Sequence, residues 1–282
     1  MREIDLHMHT DISDGSESPE NAVRYAKYKG LKAIAITDHD NVAGVKRAIE
    51  EGKKQGIEVI GGLELGCGYE GREVHMLAYG IDPDNEKLLK TLKWILEDRD
   101  LRNERMAANM EKDGIRVNLD EMKRLHSNST IGRPHFAVRL VELGLAESVQ
   151  DAFNRYLDPG QKYYLRRSFL TIEEAAEFIH EAGGKAVLAH PRQYRMNDER
   201  LRILLSRCKA AGVDGMECIY SGYDDEYKDY LKSLAAEFGF FITAGSDWHG
   251  KNKPHIEMAW GLNGEVEAGY ELIRNIKDHE TK

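Results

Sequence analysis

The sequence is poor in cysteine, in basic charge and in long apolar runs, and each shortage excludes something. Its 282 residues include three cysteines, Cys67, Cys208 and Cys218, odd in number and not in metal-knuckle spacing. A disulfide framework is therefore not expected, and a reducing compartment fits. No apolar run reaches the length of a membrane span. The opening residues, Met1-Arg2-Glu3-Ile4-Asp5, lack the basic region, apolar core and cleavage site of a signal peptide. The expected location is the cytoplasm, with no membrane partner. Lysine and arginine total 40 against 49 aspartates and glutamates, a net charge of −9. An electrostatic grip on long nucleic acid needs a basic surface and is not expected here. A short anionic substrate held by bound cations remains compatible with an acidic protein. The GxSxG pattern of serine hydrolases and the GxxxxGK[ST] phosphate loop are both missing.

What is present is a strand–helix rhythm. Seven short apolar runs, at 3–8, 32–37, 58–63, 74–80, 185–189, 215–219 and 240–244, read as strands. Most are continuously apolar instead of alternating, as in a parallel sheet covered on both faces. Ser18-Pro19 opens a helix, and Thr171-Ile172-Glu173-Glu174 carries a capping-box pattern ahead of another, which Gly183-Gly184 ends. The alternation predicts an α/β barrel or wound sheet. The rhythm breaks at 84–162, which is charge-rich and helical at 87–110, 119–125, 134–143 and 149–157. That is too long for one crossover, so it predicts a helical insertion forming a substrate cap, with a barrel domain built from 1–83 and 163–282.

Polar residues gather at the ends of the apolar runs. His7 and His9 close the first and, two apart on a strand, share a face. A turn then brings up Asp14. The second run ends on His39, the third on Glu64, the fifth on His190 and the seventh on Asp247 and His249, while the fourth carries His75. Taken singly, any of these can be a core histidine or a helix cap. Six histidines and three carboxylates at one end of seven strands form a coordination shell for divalent ions, because active sites of βα barrels lie at that end. Nitrogen and oxygen donors of this kind suit manganese, iron or zinc alike.

In order along the chain, the segments His7-Met8-His9-Thr10-Asp11-Ile12-Ser13-Asp14-Gly15, Ile36-Thr37-Asp38-His39-Asp40, Gly62-Leu63-Glu64, Ala189-His190-Pro191 and Gly245-Ser246-Asp247-Trp248-His249-Gly250 resemble the motifs of the PHP (polymerase and histidinol phosphatase) superfamily. Ser129-Thr130-Ile131-Gly132-Arg133-Pro134-His135 resembles the branch of small phosphoesterases that includes nucleotide 3′,5′-bisphosphate phosphatases. The resemblance implies a distorted (β/α)7 barrel and two or three divalent ions. It places His7, His9, Glu64 and Asp247 around one ion. Glu64 would bridge to a second ion completed by His75 and His190. Asp14, His39 and His249 would hold a third, with Asp14 standing where some members carry histidine.

The expected chemistry is hydrolysis by water held between two metals about 3.5–4 Å apart, with the ions neutralising the transition state. Asp247 and His249 are the candidate acids for the leaving oxygen. Arg133, His135 and Arg192 are the candidate phosphate-binding residues, because guanidinium groups grip phosphate in pairs and a helix start favours an anion. The leading expectation is a phosphatase on a small nucleotide such as a 3′,5′-bisphosphate. The alternatives are a 5′–3′ exonuclease on short RNA and a histidinol-phosphate or cyclic-phosphate hydrolase. A non-catalytic metal-binding module is disfavoured, since a structural site usually closes with four ligands.

Overall fold

The computed structural model describes residues 1–125 and 129–277. They fall into two compact units, Met1–Lys90 with Phe169–Lys282, and Thr91–Ser168. The strands are β1 (Ile4–Asp5), β2 (Ala33–Ile36), β3 (Glu58–Tyr69), β4 (Arg72–Tyr79), β5 (Leu170–Thr171), β6 (Lys185–Leu188), β7 (Gly215–Tyr220) and β8 (Phe241–Gly245). The helices are α1 (Pro19–Tyr28), α2 (Val45–Gln55), α3 (Glu86–Lys112), α4 (Leu119–Leu125), α5 (Arg133–Glu142), α6 (Val149–Ala152), α7 (Ile172–Glu181), α8 (Asp198–Ala210), α9 (Asp225–Phe238) and α10 (Arg274–Lys277).

The first unit is a near-closed barrel with strand order β1-β2-β3-β4-β6-β7-β8, and β5 pairs on the side of β3. Closure comes from hydrogen bonds between the two terminal strands and the segments that follow them. The Leu6 N–H donates to the Ala244 carbonyl at 3.0 Å, the Asp247 N–H to His7 at 2.8 Å, and the His9 N–H to Trp248 at 2.8 Å. Continuous apolar runs are explained by the two surfaces they serve. Ala33 and Ala35 join Ile4, Leu6, Leu77, Val187 and Ala244 in one core cluster, whereas Ile34 and Ile36 pack with Ala22, Val23 and Ala26 of α1 and Ala48 of α2. The helix starts follow their caps. The Ser18 hydroxyl accepts from the Asn21 N–H at 3.2 Å. Thr171 and Glu174 exchange reciprocal bonds of 2.8 and 3.2 Å at the start of α7.

The seven predicted strands are present, but one runs the other way. β1, β2 and β3 pair in parallel, as do β6, β7 and β8, whereas β4 is antiparallel to both β3 and β6. The cause is local. β3 continues five residues past Glu64 to Tyr69 and returns through Glu70 (φ 44°) and Gly71 (φ 81°), a two-residue turn with both central residues left-handed. Such a turn makes a tight hairpin and leaves no room for a crossover helix. His75 therefore reaches the mouth from the first half of an antiparallel strand and not from the end of a parallel one.

The second unit is all helical among its described residues, from the body of α3 to α6. Met106, Met110, Phe136, Leu140 and Leu157 form its core. No helix among the described residues is long and apolar enough to cross a membrane.

Candidate metal centre

Strand ends and the turns after them build the centre. After β1, the Ser13 and Gly15 N–H groups both donate to the Thr10 carbonyl, at 3.1 and 2.9 Å, and this turn carries Asp14 back over His9. Gly15 is needed there, because a Cβ would lie 2.2 Å from the His9 carbonyl oxygen. Buried Asp38 holds the same turn from the next strand, accepting from the Thr10 N–H at 2.8 Å, the Thr10 hydroxyl at 2.7 Å and the Ser13 hydroxyl at 2.7 Å. Gly245 lets the end of β8 lie directly on His7, where a Cβ would meet the His7 Cβ at 2.2 Å.

Glu64 is the hub, and its two oxygens face different partners. Oε1 lies 2.7 Å from both His75 Nδ1 and His190 Nε2. Oε2 lies 3.4 Å from His7 Nε2, 3.2 Å from His9 Nε2 and 3.1 Å from His39 Nδ1. Asp247 Oδ1 faces the His7 and His9 rings too, 3.6 Å from His7 Nε2 and 3.2 Å from His9 Nε2. Asp14 is 3.2 Å from His249 Nε2 and 3.9 Å from His39 Nε2. All nine predicted ligand residues thus converge. Their donor atoms form four overlapping groups: His9, Asp14, His39 and His249; His7, Glu64 and His190; His7, His9 and Asp247; His39, Glu64 and His75. Within each group the atoms lie within 4.8 Å of one another.

The residues fit divalent ions. His7 Nε2, His9 Nε2, His249 Nε2 and Asp14 Oδ1 are buried and make no hydrogen bond, a costly state that a cation at the focus relieves. The far side of each of these rings is anchored, which leaves Nε2 aimed inward. His7 Nδ1 lies 3.0 Å from Glu217, His9 Nδ1 3.3 Å from the Ser13 hydroxyl, and His249 Nδ1 2.7 Å from the Asp247 carbonyl. The overlapping groups can hold several divalent ions in one centre.

Crowding splits the titration of the imidazoles. Burial disfavours the charge on His9 and His75, but the carboxylates around them prevail and push His9 up to about 9 and His75 to about 10. His39 goes down to about 3, because burial dominates and its charged neighbours His9 and His75 repel a further proton. Burial also opposes charge on Asp14, Glu64 and Asp247, yet the imidazoles around them, and Lys253 beside Asp247, hold all three well below the usual carboxylate range.

Three residues of the shell stand in left-handed backbone that favours glycine: Asp40 (φ 51°), His190 (φ 27°) and Asp247 (φ 59°). Each is pinned through its own N–H, Asp40 to the Glu64 carbonyl at 2.9 Å, His190 to Glu217 at 2.8 Å and Asp247 to the His7 carbonyl at 2.8 Å. Glu217 therefore serves two ligands at once, the His7 ring and the His190 backbone. It lies fully buried at a bulge in β7, and sequence reasoning passed over it. The available signal was a single glutamate inside the apolar run 215–219. Lys253 was also missed; its ammonium lies 2.9 Å from Asp247 Oδ2, which also accepts from the Tyr220 hydroxyl at 2.7 Å.

The predicted phosphate-binding residues are placed differently. Arg192 donates to the Gly222 carbonyl at 3.0 Å and to Asp224 at 2.7 Å, with its guanidinium 4.1 Å from the centre of the Tyr227 ring. It is thus committed to the turn between β7 and α9. In the helical unit Arg133 and His135 stand at the start of α5, where His135 Nδ1 accepts from the Gly132 N–H at 3.1 Å and Arg133 lies 5.5 Å from the Tyr164 ring.

A barrel of this kind with a buried multi-ion site at its mouth defines a metal-dependent phosphoesterase, a hydrolase. The match to the PHP domain model over residues 5–243 places the chain in that family, to which it belongs. A 5′-3′ exoribonuclease of Haemophilus influenzae is 35% identical over 88% of this chain and 90% of its own length. A 3′,5′-nucleoside bisphosphate phosphatase of Chromobacterium violaceum is 34% identical over 91% of this chain and 92% of its own length. The solved structure of an inferred metal-dependent phosphoesterase from Bifidobacterium adolescentis aligns with a TM-score of 0.85 at 33% identity, covering 98% of this chain and 95% of that one.

Proposed function

We propose that this phosphoesterase hydrolyses the 3′-phosphate ester of a 5′-phosphorylated nucleotide, removing nucleotides one at a time from the 5′ end of short RNA. A nucleoside 3′,5′-bisphosphate is then the shortest substrate of the same reaction. The observation that carries this reading is the pair of similar relatives, one named for each activity and each alike over about nine-tenths of the chain. One bond reconciles them. Water adds to the phosphorus on O3′, the P–O3′ bond breaks, and O3′ leaves with a proton. With RNA the products are a nucleoside 5′-monophosphate and a shortened 5′-phosphorylated chain; with a bisphosphate they are the monophosphate and inorganic phosphate. The exonuclease reading takes precedence over the bisphosphatase first expected, and the net charge of −9 keeps the RNA short.

In this reading His7, His9, Glu64 and Asp247 hold one ion, Glu64 with His75 and His190 a second, and Asp14, His39 and His249 a third. Bound ions supply water activation and charge neutralisation at the phosphoryl group. Glu217 holds His7 in the tautomer that presents Nε2, and Asp38 keeps the Asp14 turn in place. Asp247 and His249, the candidate acids for the leaving oxygen, serve in this reading as ion ligands, since Asp247 is held well below the usual carboxylate range. Arg133 and His135, at the start of α5, are the groups offered to substrate phosphate, and Arg192 braces the turn that bears Tyr223.

The test is a panel of esters given to manganese-loaded protein: short 5′-phosphorylated RNAs, a nucleoside 3′,5′-bisphosphate, histidinol phosphate and a cyclic phosphate. Release of 5′-mononucleotides from the RNAs is expected, together with turnover of the bisphosphate. Preference for histidinol phosphate or the cyclic ester would reject the reading. Arg133→Ala is expected to raise KM for the RNA about 10-fold or more at unchanged metal content, and unaltered kinetics would remove Arg133 from the site.

A further inference from the structure

We propose that Lys253 is a phosphate-binding residue of this centre, its ammonium donating to a non-bridging oxygen of the scissile phosphate while it remains bonded to Asp247. The inference rests on the site being a phosphoesterase centre and is independent of which nucleotide is cut.

Asp247 divides its oxygens between two tasks. Oδ1 turns inward to His7 and His9, and Oδ2 accepts from Tyr220 at 2.7 Å and Lys253 at 2.9 Å. Lys253 follows His249 by four residues, at the end of the short turn Gly250–Asn252. An ammonium has three donors. One is spent on Asp247, and no other hydrogen bond of Lys253 Nζ is found among the described residues. The side chain is 36% exposed, whereas Asp247 is buried, so Lys253 links the buried cluster to water.

Simple neutralisation of Asp247 explains this lysine poorly. Tyr220 already holds the same oxygen. A fixed positive charge beside carboxylates that take up cations repels those cations and weakens their binding. Among the described residues of the barrel unit, no arginine or other lysine is ion-paired with Asp14, Glu64 or Asp247. The cost is offset when an anion arrives, because a phosphoryl group between the ions and the ammonium is then held from two sides. A compact point charge on a flexible stem suits that task.

Wild-type, Lys253→Ala, Lys253→Gln and Lys253→Arg proteins, all loaded with manganese, are titrated with inorganic phosphate by calorimetry. Metal content is measured by elemental analysis and folding by thermal melting. Lys253→Ala and Lys253→Gln should keep their metal and bind phosphate about 10- to 100-fold more weakly, the loss of one charge-assisted hydrogen bond. Lys253→Arg should stay within a few-fold of wild type. Unchanged phosphate affinity in the neutral variants overturns the proposal. So does a loss of metal with phosphate affinity per loaded site intact, which would make Lys253 a positioning residue for Asp247. Lys253-dependent phosphate binding in a protein that cuts no ester of the panel would reject the substrate reading and leave this inference standing.

Discussion

Two histidine–carboxylate contacts of equal length lie at opposite ends of the barrel. At the base, His180 Nε2 is 2.7 Å from Asp214; at the mouth, His190 Nε2 is 2.7 Å from Glu64. Their surroundings differ. Asp214 also binds the Lys185 ammonium at 2.8 Å and the Ala186 N–H at 2.9 Å, so the protein itself completes its shell. Glu64 meets the rings of His7, His9, His39, His75 and His190 and, among the described residues, no lysine or arginine. The base is a finished ion pair, and the mouth is a donor set that needs cations from outside. Distance alone does not separate structure from chemistry; the presence of a resident counter-charge does.

The comparison can be broken most directly at Glu64. Glu64→Ala should empty two metal sites together and reduce turnover on the order of 1000-fold or more. Elemental analysis and steady-state rates check both, and near-normal turnover would end the bridging assignment. Glu217→Gln sharpens it from behind the ligands. Loss of the carboxylate behind the His7 ring should weaken metal affinity or activity about 10- to 100-fold, while the fold persists. A titration of metal-free variant with manganese reads this, and wild-type affinity would make Glu217 a packing residue only.

The smallest effect is expected at the base. Asp214→Asn should lower the unfolding free energy by about 1–3 kcal/mol and leave metal content and turnover unchanged. The pH dependence has a defined sign. Burial pushes the Asp214 carboxyl up, but Lys185 and His180 prevail and hold it below its usual range. Its stabilisation is therefore present above the ordinary carboxylate value of about 4 and is lost as pH falls through the lower folded value. Denaturant midpoints of wild type and variant should converge in acid. A constant gap down to the lowest pH would show that the contact does not titrate.

Much of the centre was legible because a strand converts sequence spacing into direction. His7 and His9, two apart and just past the end of β1, both bring Nε2 to Glu64 Oε2, and apolar runs ending in His39, Glu64, His190 and Asp247 marked one rim. The direction of β4 was not legible, since its apolar pattern is the same whichever way the strand runs, and only the Glu70-Gly71 turn decides it. The anchoring layer was equally hidden. Glu217, Asp38 and Lys253 belong to no motif, and their value lies in partners between 6 and 210 positions away. The left-handed backbones of His190 and Asp247 had no glycine to announce them, because tertiary hydrogen bonds hold those conformations.

The sequence by itself determined which side chains can ligate a metal and roughly where each strand starts, since both follow from residue chemistry and from the period of the backbone. Only the tertiary structure decided which oxygen of Glu64 faces which ring, and in which direction the titration of His9, His39 and His75 is pushed. It also decided that Lys253 stands beside Asp247. Those outcomes depend on charges brought within a few ångströms inside a buried space, where burial and neighbouring charge outweigh what any residue does alone.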